Sequence, residues 1–331
     1  MDVMDITGAV WFITCAVILG LFVFDFFAHV RVPHEPTFKE SAIWSSVYIG
    51  LAVAFGFVVW ALWGGEYAGE YFAGYVTEKA LSVDNLFVFT VIMSTFAVPR
   101  AFQQKLLLIG IVLALVMRAG FIAVGAAAIS AFSWVFYLFG IFLVLTAIKL
   151  AKEAGHEKEV EEKRDSRIIA LVRRVVPTTD DYHGDKFLTT LDGKRTVTPM
   201  LLALIAIGFT DVLFALDSIP AIYGLTEQPY IVFTANAFAL MGLRQLYFLI
   251  GGLLDRLVYL SYGLSVILAF IGVKLVLHAL HENSLPFING GQHVAVPEIS
   301  TGMSMGVIGV VLLVTTVASL VMTRGRVKQT P

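Results

Sequence analysis

The chain has 331 residues, of which 58% are hydrophobic and 15% charged, and its mean hydropathy is +0.83. Soluble domains carry roughly 25% charged residues, so this composition excludes that class and predicts an all-α polytopic membrane protein. The net charge of −2 gives no ground for a nucleic-acid partner, because the basic residues have a topological explanation.

Apolar runs near the ~20 residues needed to cross a bilayer predict nine spans: 8–29, 43–63, 73–97, 104–126, 132–151, 199–223, 230–253, 257–280 and 302–323. Residues 1–72 then hold two N-terminal spans, 73–151 a first group of three, and 152–198 a hydrophilic insertion. A second group of three fills 199–281, and 282–331 holds an outer loop, the last span and a tail. The first span follows Asp2 and Asp5 rather than a basic stretch, which suits a retained helix better than a cleaved signal peptide. It contains the single cysteine, Cys15, so neither an intrachain disulfide nor a thiolate cluster can form.

Nineteen of the 23 lysines and arginines lie in, or within three residues of, the connections after spans 1, 3, 5 and 7 or in the C-terminal tail. The N-terminus and the connections after spans 2, 4, 6 and 8 hold none, and the other four basic residues are within spans. By the positive-inside rule this predicts a cell-membrane protein with its N-terminus outside and its C-terminus in the cytoplasm. Trp60, Trp63, Tyr67, Tyr71 and Tyr75 read as an aromatic belt around the outer ends of spans 2 and 3.

The insertion begins with a Glu- and Lys/Arg-rich stretch, expected to continue span 5 as a helix as far as Pro177. It ends in Phe187–Leu191, Asp192-Gly193 and Lys194–Thr198, the pattern of a small cytoplasmic β-hairpin with a D-G turn. Asp180, Asp181, His183 and Asp185 read either as turn residues or as a regulatory metal cluster.

Glu78 to Asn85 (EKALSVDN) in span 3 matches Asp211 to Ser218 (DVLFALDS) in span 6, two acids six apart followed by a small polar residue. Arg118, Phe121 and Gly125 of span 4 match Arg244, Tyr247 and Gly251 of span 7. Tyr137 and Ile148-Lys149-Leu150 of span 5 match Tyr262 and Val273-Lys274-Leu275 of span 8. Because spans 3 and 6 run in opposite senses, the two groups are expected to be inverted three-helix repeats. Secondary transporters are often built this way, with substrate near the midplane where the repeats meet.

A charge at the bilayer centre costs about 2.5–3.5 kcal/mol on insertion scales, so Glu78, Asp84, Asp211 and Asp217 need partners or a ligand. Arg118 and Arg244 are expected to compensate one acid in each repeat. Together with Asn85 and Ser218, the acids offer only oxygen donors, which suit Mg, Ca or Mn better than Cu, Zn or Ni. Acids six apart lie about 120° apart around a helix. They serve either separate points along a path or one point at a broken helix, and Pro220 predicts a break in span 6 that frees the carbonyl of Leu216. Asp25 and His29 read as a proton relay, an inner gate or a snorkelling pair. His278, His281 and Glu282 read as interfacial caps or metal ligands, and Asn236 as an oxygen donor or an interhelical bond.

Four stretches resemble the TerC family of integral membrane proteins, including its Alx branch. They are Glu78 to Phe89 (EKALSVDNLFVF), Asp180 to Phe187 (DDYHGDKF), Phe209 to Gly224 (FTDVLFALDSIPAIYG) and Asn236 to Leu249 (NAFALMGLRQLYFL). The resemblance spans most of the chain, from about residue 5 to 325. It implies a cation exporter built from inverted three-helix repeats, with Mn²⁺ as the transported ion and no organic cofactor. The metal ligands it implies are Glu78, Asp84, Asn85, Asp211, Asp217 and Ser218. Exchange for H⁺ is a further expectation, since empty carboxylates take up protons. A competing reading is an assembly factor that contacts maturing membrane or secreted proteins through 152–198, or a component of the tellurite resistance that gave the family its name. An enzyme is not expected, because the spans lack Ser–His or Ser–Lys pairs within reach and the paired histidines of a zinc protease.

Overall fold

The computed structural model describes residues 4, 6–31, 34–132, 134–154, 178–179, 181–191, 194–250, 259–283, 285–286 and 288–326. The expected helical continuation of span 5 toward Pro177 falls outside them, as do Asp180, the D-G turn and Gly251. The helices are α1 (Gly8–Asp25), α2 (Phe38–Trp63), α3 (Gly65–Thr95), α4 (Arg100–Ala131), α5 (Val135–Glu153), α6 (Pro199–Tyr223), α7 (Pro229–Leu240), α8 (Leu243–Ile250), α9 (Leu260–His281) and α10 (Thr301–Arg326). A π-helical turn, Phe26–Val30, follows α1, and strands β1 (Leu188–Leu191) and β2 (Lys194–Val197) lie between α5 and α6.

Eight spans among the described residues are long and apolar enough to cross a membrane. The exception is α3, whose 31 residues include Glu66, Glu70, Glu78, Lys79 and Asp84. With α3 counted, the nine predicted spans are all present as helices, and the fold is an all-α bundle with one small hairpin. Local signals set the ends. Thr7 and Thr37 cap α1 and α2, and Thr37 accepts from the backbone N–H of Glu40 at 3.2 Å, the T-x-x-E spacing of a capping box. Proline opens α6 and α7, where its missing N–H costs nothing.

Side chains on α1 and α10 such as Phe12, Leu19, Leu313 and Val321 are exposed, as expected of peripheral helices turned toward lipid. Every residue of α7 from Tyr230 to Leu240 is buried, so this helix runs through the centre. Trp60 is exposed, but Tyr71 and Tyr75 are buried and stacked on each other at 6.2 Å. The expected aromatic belt is corrected accordingly: these two tyrosines face the bundle, where the Tyr71 hydroxyl donates to the carbonyl of Ala52 at 3.0 Å.

The break expected at Pro220 is absent, since α6 runs unbroken from Pro199 to Tyr223 and Leu216 lies on its exposed side. Span 7 breaks instead. Met241 is extended (φ −60°, ψ 135°) and Gly242 has φ +77°, a left-handed conformation that favours glycine. A Cβ on Gly242 would also stand 2.9 Å from that of Tyr48. The carbonyls freed at the end of α7 are taken up by Lys79, whose Nζ donates to Ala239 at 2.9 Å and to Met241 at 3.4 Å.

Helices α5 and α9 pack reciprocally. A Cβ on Gly140 would lie 2.7 Å from the Gly272 carbonyl and 2.7 Å from Val276, while one on Gly272 would lie 2.8 Å from the Gly140 carbonyl and 2.9 Å from Val144. The hairpin pairs antiparallel from Leu188↔Val197 to Leu191↔Lys194, as its alternation predicts. Lys105 holds it to α4 through Asp185 Oδ2 at 2.7 Å, and Tyr182 donates to the carbonyl of Phe96 at 2.7 Å.

Candidate functional site

Arg118 of α4 is fully buried at the junction of α3, α6 and α7. Its Nε and Nη2 donate to Oδ2 and Oδ1 of Asp211 at 3.1 and 3.0 Å, a two-point fork that a lysine could not make. Its Nη1 donates to Glu78 of α3, to Ser218 Oγ of α6 at 3.1 Å and to Asn236 Oδ1 of α7 at 2.9 Å. Asn236 is aimed by its own Nδ2, which donates to the carbonyl of Val232 at 3.1 Å, and Ser82 donates to Glu78 Oε1 at 3.3 Å. Glu78 Oε2 is buried and has no hydrogen-bond partner among the described residues. Two carboxyl groups thus share one guanidinium, and one carboxyl oxygen is left over.

Three of the six expected metal ligands, Glu78, Asp211 and Ser218, therefore meet at one point. Asn85 is buried, but seven residues from Glu78 place it about 10 Å further along α3. The side chain of Asp84 lies outside the described residues. Asp217 does not join the centre: it is half-buried and accepts from Thr146 of α5 at 3.2 Å. Of the two arrangements the sequence left open, the position of Asp217 fits separate points along a path. Because α6 is unbroken at Pro220, six residues of helix carry Asp217 to another face.

The pairing of one arginine with each repeat is also corrected. Arg118 serves an acid from each half, and Arg244 belongs to a second cluster. Its Nη2 donates to Asp25 Oδ1 at 2.7 Å and its Nη1 to Gln104. The same Asp25 oxygen accepts from Tyr48 at 2.8 Å and from Gln245 at 3.2 Å, and it lies 3.2 Å from His29 Nδ1. Asp25 and His29 are both buried, so they form part of an interior network and not a snorkelling pair.

Near the opposite ends of the helices, His278 pairs with Glu227 at 2.9 Å and His281 with Glu298 at 3.1 Å. The hydrogen bond from His278 holds Glu227 below the usual carboxylate range. No three His, Cys, Asp or Glu among the described residues come together as a metal-binding group; these include His278, His281 and Glu282 but not Asp180 of the His183 stretch. Lys79 and Thr146 were missed by sequence reasoning. A lysine next to Glu78 in an otherwise apolar span was a signal for the first; nothing marked the second.

The structure thus defines a class: a multi-pass α-helical membrane protein with a charge-compensated polar centre inside its bundle. The Integral membrane protein TerC family matches residues 63–327, and the chain belongs to that family. An uncharacterized membrane protein of Mycobacterium bovis is 55% identical over 324 residues, covering 98% of this chain and 82% of that one. A Myxococcus xanthus membrane protein is 38% identical over 309 residues, covering 93% and 91%. A protein of Escherichia coli named as a candidate membrane-bound redox modulator, Alx, is 38% identical over 257 residues, covering 75% and 78%. No solved structure matches the chain.

Proposed function

We propose that this protein exports a divalent cation, Mn²⁺, from the cytoplasm, with the N-terminus outside, and that the centre around Arg118 is its substrate site in the unloaded state. One observation carries the reading: Glu78 and Asp211, from the two halves of the chain, share a single buried guanidinium. The groups around Arg118 are carboxylate, amide and hydroxyl oxygens, the donors that Mn²⁺ prefers. Arg118 acts as a tethered stand-in for the ion. A doubly charged ion that displaces the guanidinium would balance the two carboxylates, with Glu78 Oε2 as its first foothold.

Two further features support a transporter. Broken spans whose freed carbonyls face the interior are typical of transporter substrate regions, and span 7 breaks at Gly242 beside Lys79. The meeting of the matched acids Glu78 and Asp211 at one arginine supports the inverted-repeat reading. Manganese itself comes from the family resemblance, since oxygen donors do not separate it from Mg²⁺ or Ca²⁺. A redox-active cargo also connects this reading with the name of the E. coli relative. The test is the manganese content of cells under manganese load. Cells with the protein should hold less than cells without it, and Glu78→Gln should abolish the difference while still inserting. Equal content in all three would refute export.

A further inference from the structure

The second polar cluster holds more than its ion pairs account for. A cavity of about 10 Å³, room for about one water, lies among Glu40, Ser41 and Trp44 of α2, Gln104 of α4, Arg244 and Gln245 of α8, and His29 of the π-helical turn. Around it, Ser41 Oγ, Arg244 Nε and Gln245 Oε1 are buried without a hydrogen-bond partner among the described residues, as is Ser45 Oγ one turn further along α2. Buried donors and acceptors without partners are costly. Several around one polar cavity call for water held there.

We propose that this pocket is a proton-binding site, separate from the cation centre, with His29 as its acceptor. A proton delivered by the cavity water bonds to the imidazole and makes an imidazolium; only an O–H bond of the hydrated proton breaks. Half-buried Glu40 stands at the mouth and links the cavity to solvent. The charged and titratable groups that face His29 are Asp25 on its own helix, Glu40 and Tyr48 on α2, His34 beside Gln104, and Arg244 on α8. Without the proton, Asp25 and Arg244 balance. With it, two cations compete for one carboxylate oxygen, and the tie between α1 and α8 loosens.

That tie matters for position. Arg244 lies just past the break at Gly242, and Asn236, which contacts Arg118, lies just before it. Proton uptake at His29 therefore acts on the same broken span that lines the cation centre. This coupling rests on the transport reading; the proton site itself does not.

The experiment uses Trp44, whose ring meets His29 edge-on at 4.5 Å. Imidazolium quenches an adjacent indole, so the purified protein should lose fluorescence as the pH is lowered from about 8 to about 5. The change should disappear in His29→Gln and in Trp44→Phe and persist in Glu78→Gln. If His29→Gln does not fold, His29→Asn takes its place, and Trp44→Phe identifies the indole beside His29 as the reporter. A wild-type protein with no titration in that range overturns the proposal, as does a titration that survives in His29→Gln. Loss of Mn²⁺ flux in every vesicle with the titration intact would refute the transport reading and leave the proton site standing.

Discussion

Arg118 Nη2 and Asp211 Oδ1 lie 3.0 Å apart, both buried, on helices from opposite halves of the chain. Breaking a buried pair by removing one partner costs about 3–5 kcal/mol. Arg118→Gln should therefore lower thermal stability in detergent. If the guanidinium stands in for the cargo, Mn²⁺ should restore the variant more than it stabilises the wild type, since a ligand that binds only the folded state raises stability with its concentration. Melting curves with and without Mn²⁺ check this, and an equal response in both proteins would count against the stand-in role.

Asp217 occupies a different face of α6 and meets Thr146. Asp217→Asn should leave the Mn²⁺-dependent rise in melting temperature intact and reduce flux, as expected of a point further along the path. Loss of the thermal response in this variant would instead assign Asp217 to the centre.

The break in span 7 depends on one glycine. Gly242→Ala places a side chain at φ +77° and 2.9 Å from the Cβ of Tyr48. The left-handed conformation alone costs about 1–2 kcal/mol, and the collision adds to it. Melting temperature should fall by more than in Gly50→Ala, where a Cβ meets nothing within 4 Å.

At the hairpin, the hydrogen bond from Lys105 draws the Asp185 carboxyl below its ordinary value. A depressed carboxylate contributes stability above its unfolded value of about 3.9, and the contribution is lost as pH falls through the lower folded value. Limited proteolysis between β1 and β2 should accelerate below that range. Lys105→Met should show the faster rate already at neutral pH.

The spans, the hairpin and the family were legible in the sequence because each rests on local pattern: apolar length, alternation with a D-G turn, and contiguous motifs. The centre was legible in part. Glu78, Asp211 and Ser218 stood out as charges or matched positions inside apolar runs, and Asn236 was marked as an oxygen donor. Their meeting at Arg118 depends on how α3, α4, α6 and α7 cross, which no single helix encodes. Matching Arg244 to Arg118 by motif alone misplaced it, because pairing with Asp25 is decided by the break at Gly242 and the position of α1. Pro220 misled for a related reason. Its missing N–H removes one helical bond, and packing around the buried proline keeps α6 continuous.

Flux of Mn²⁺ into vesicles reconstituted with wild-type protein and with folded Glu78→Gln tests the central claim most directly. Saturable flux in the first and background flux in the second is the predicted result. Equal flux from both would show that the carboxylate beside Arg118 does not carry the ion.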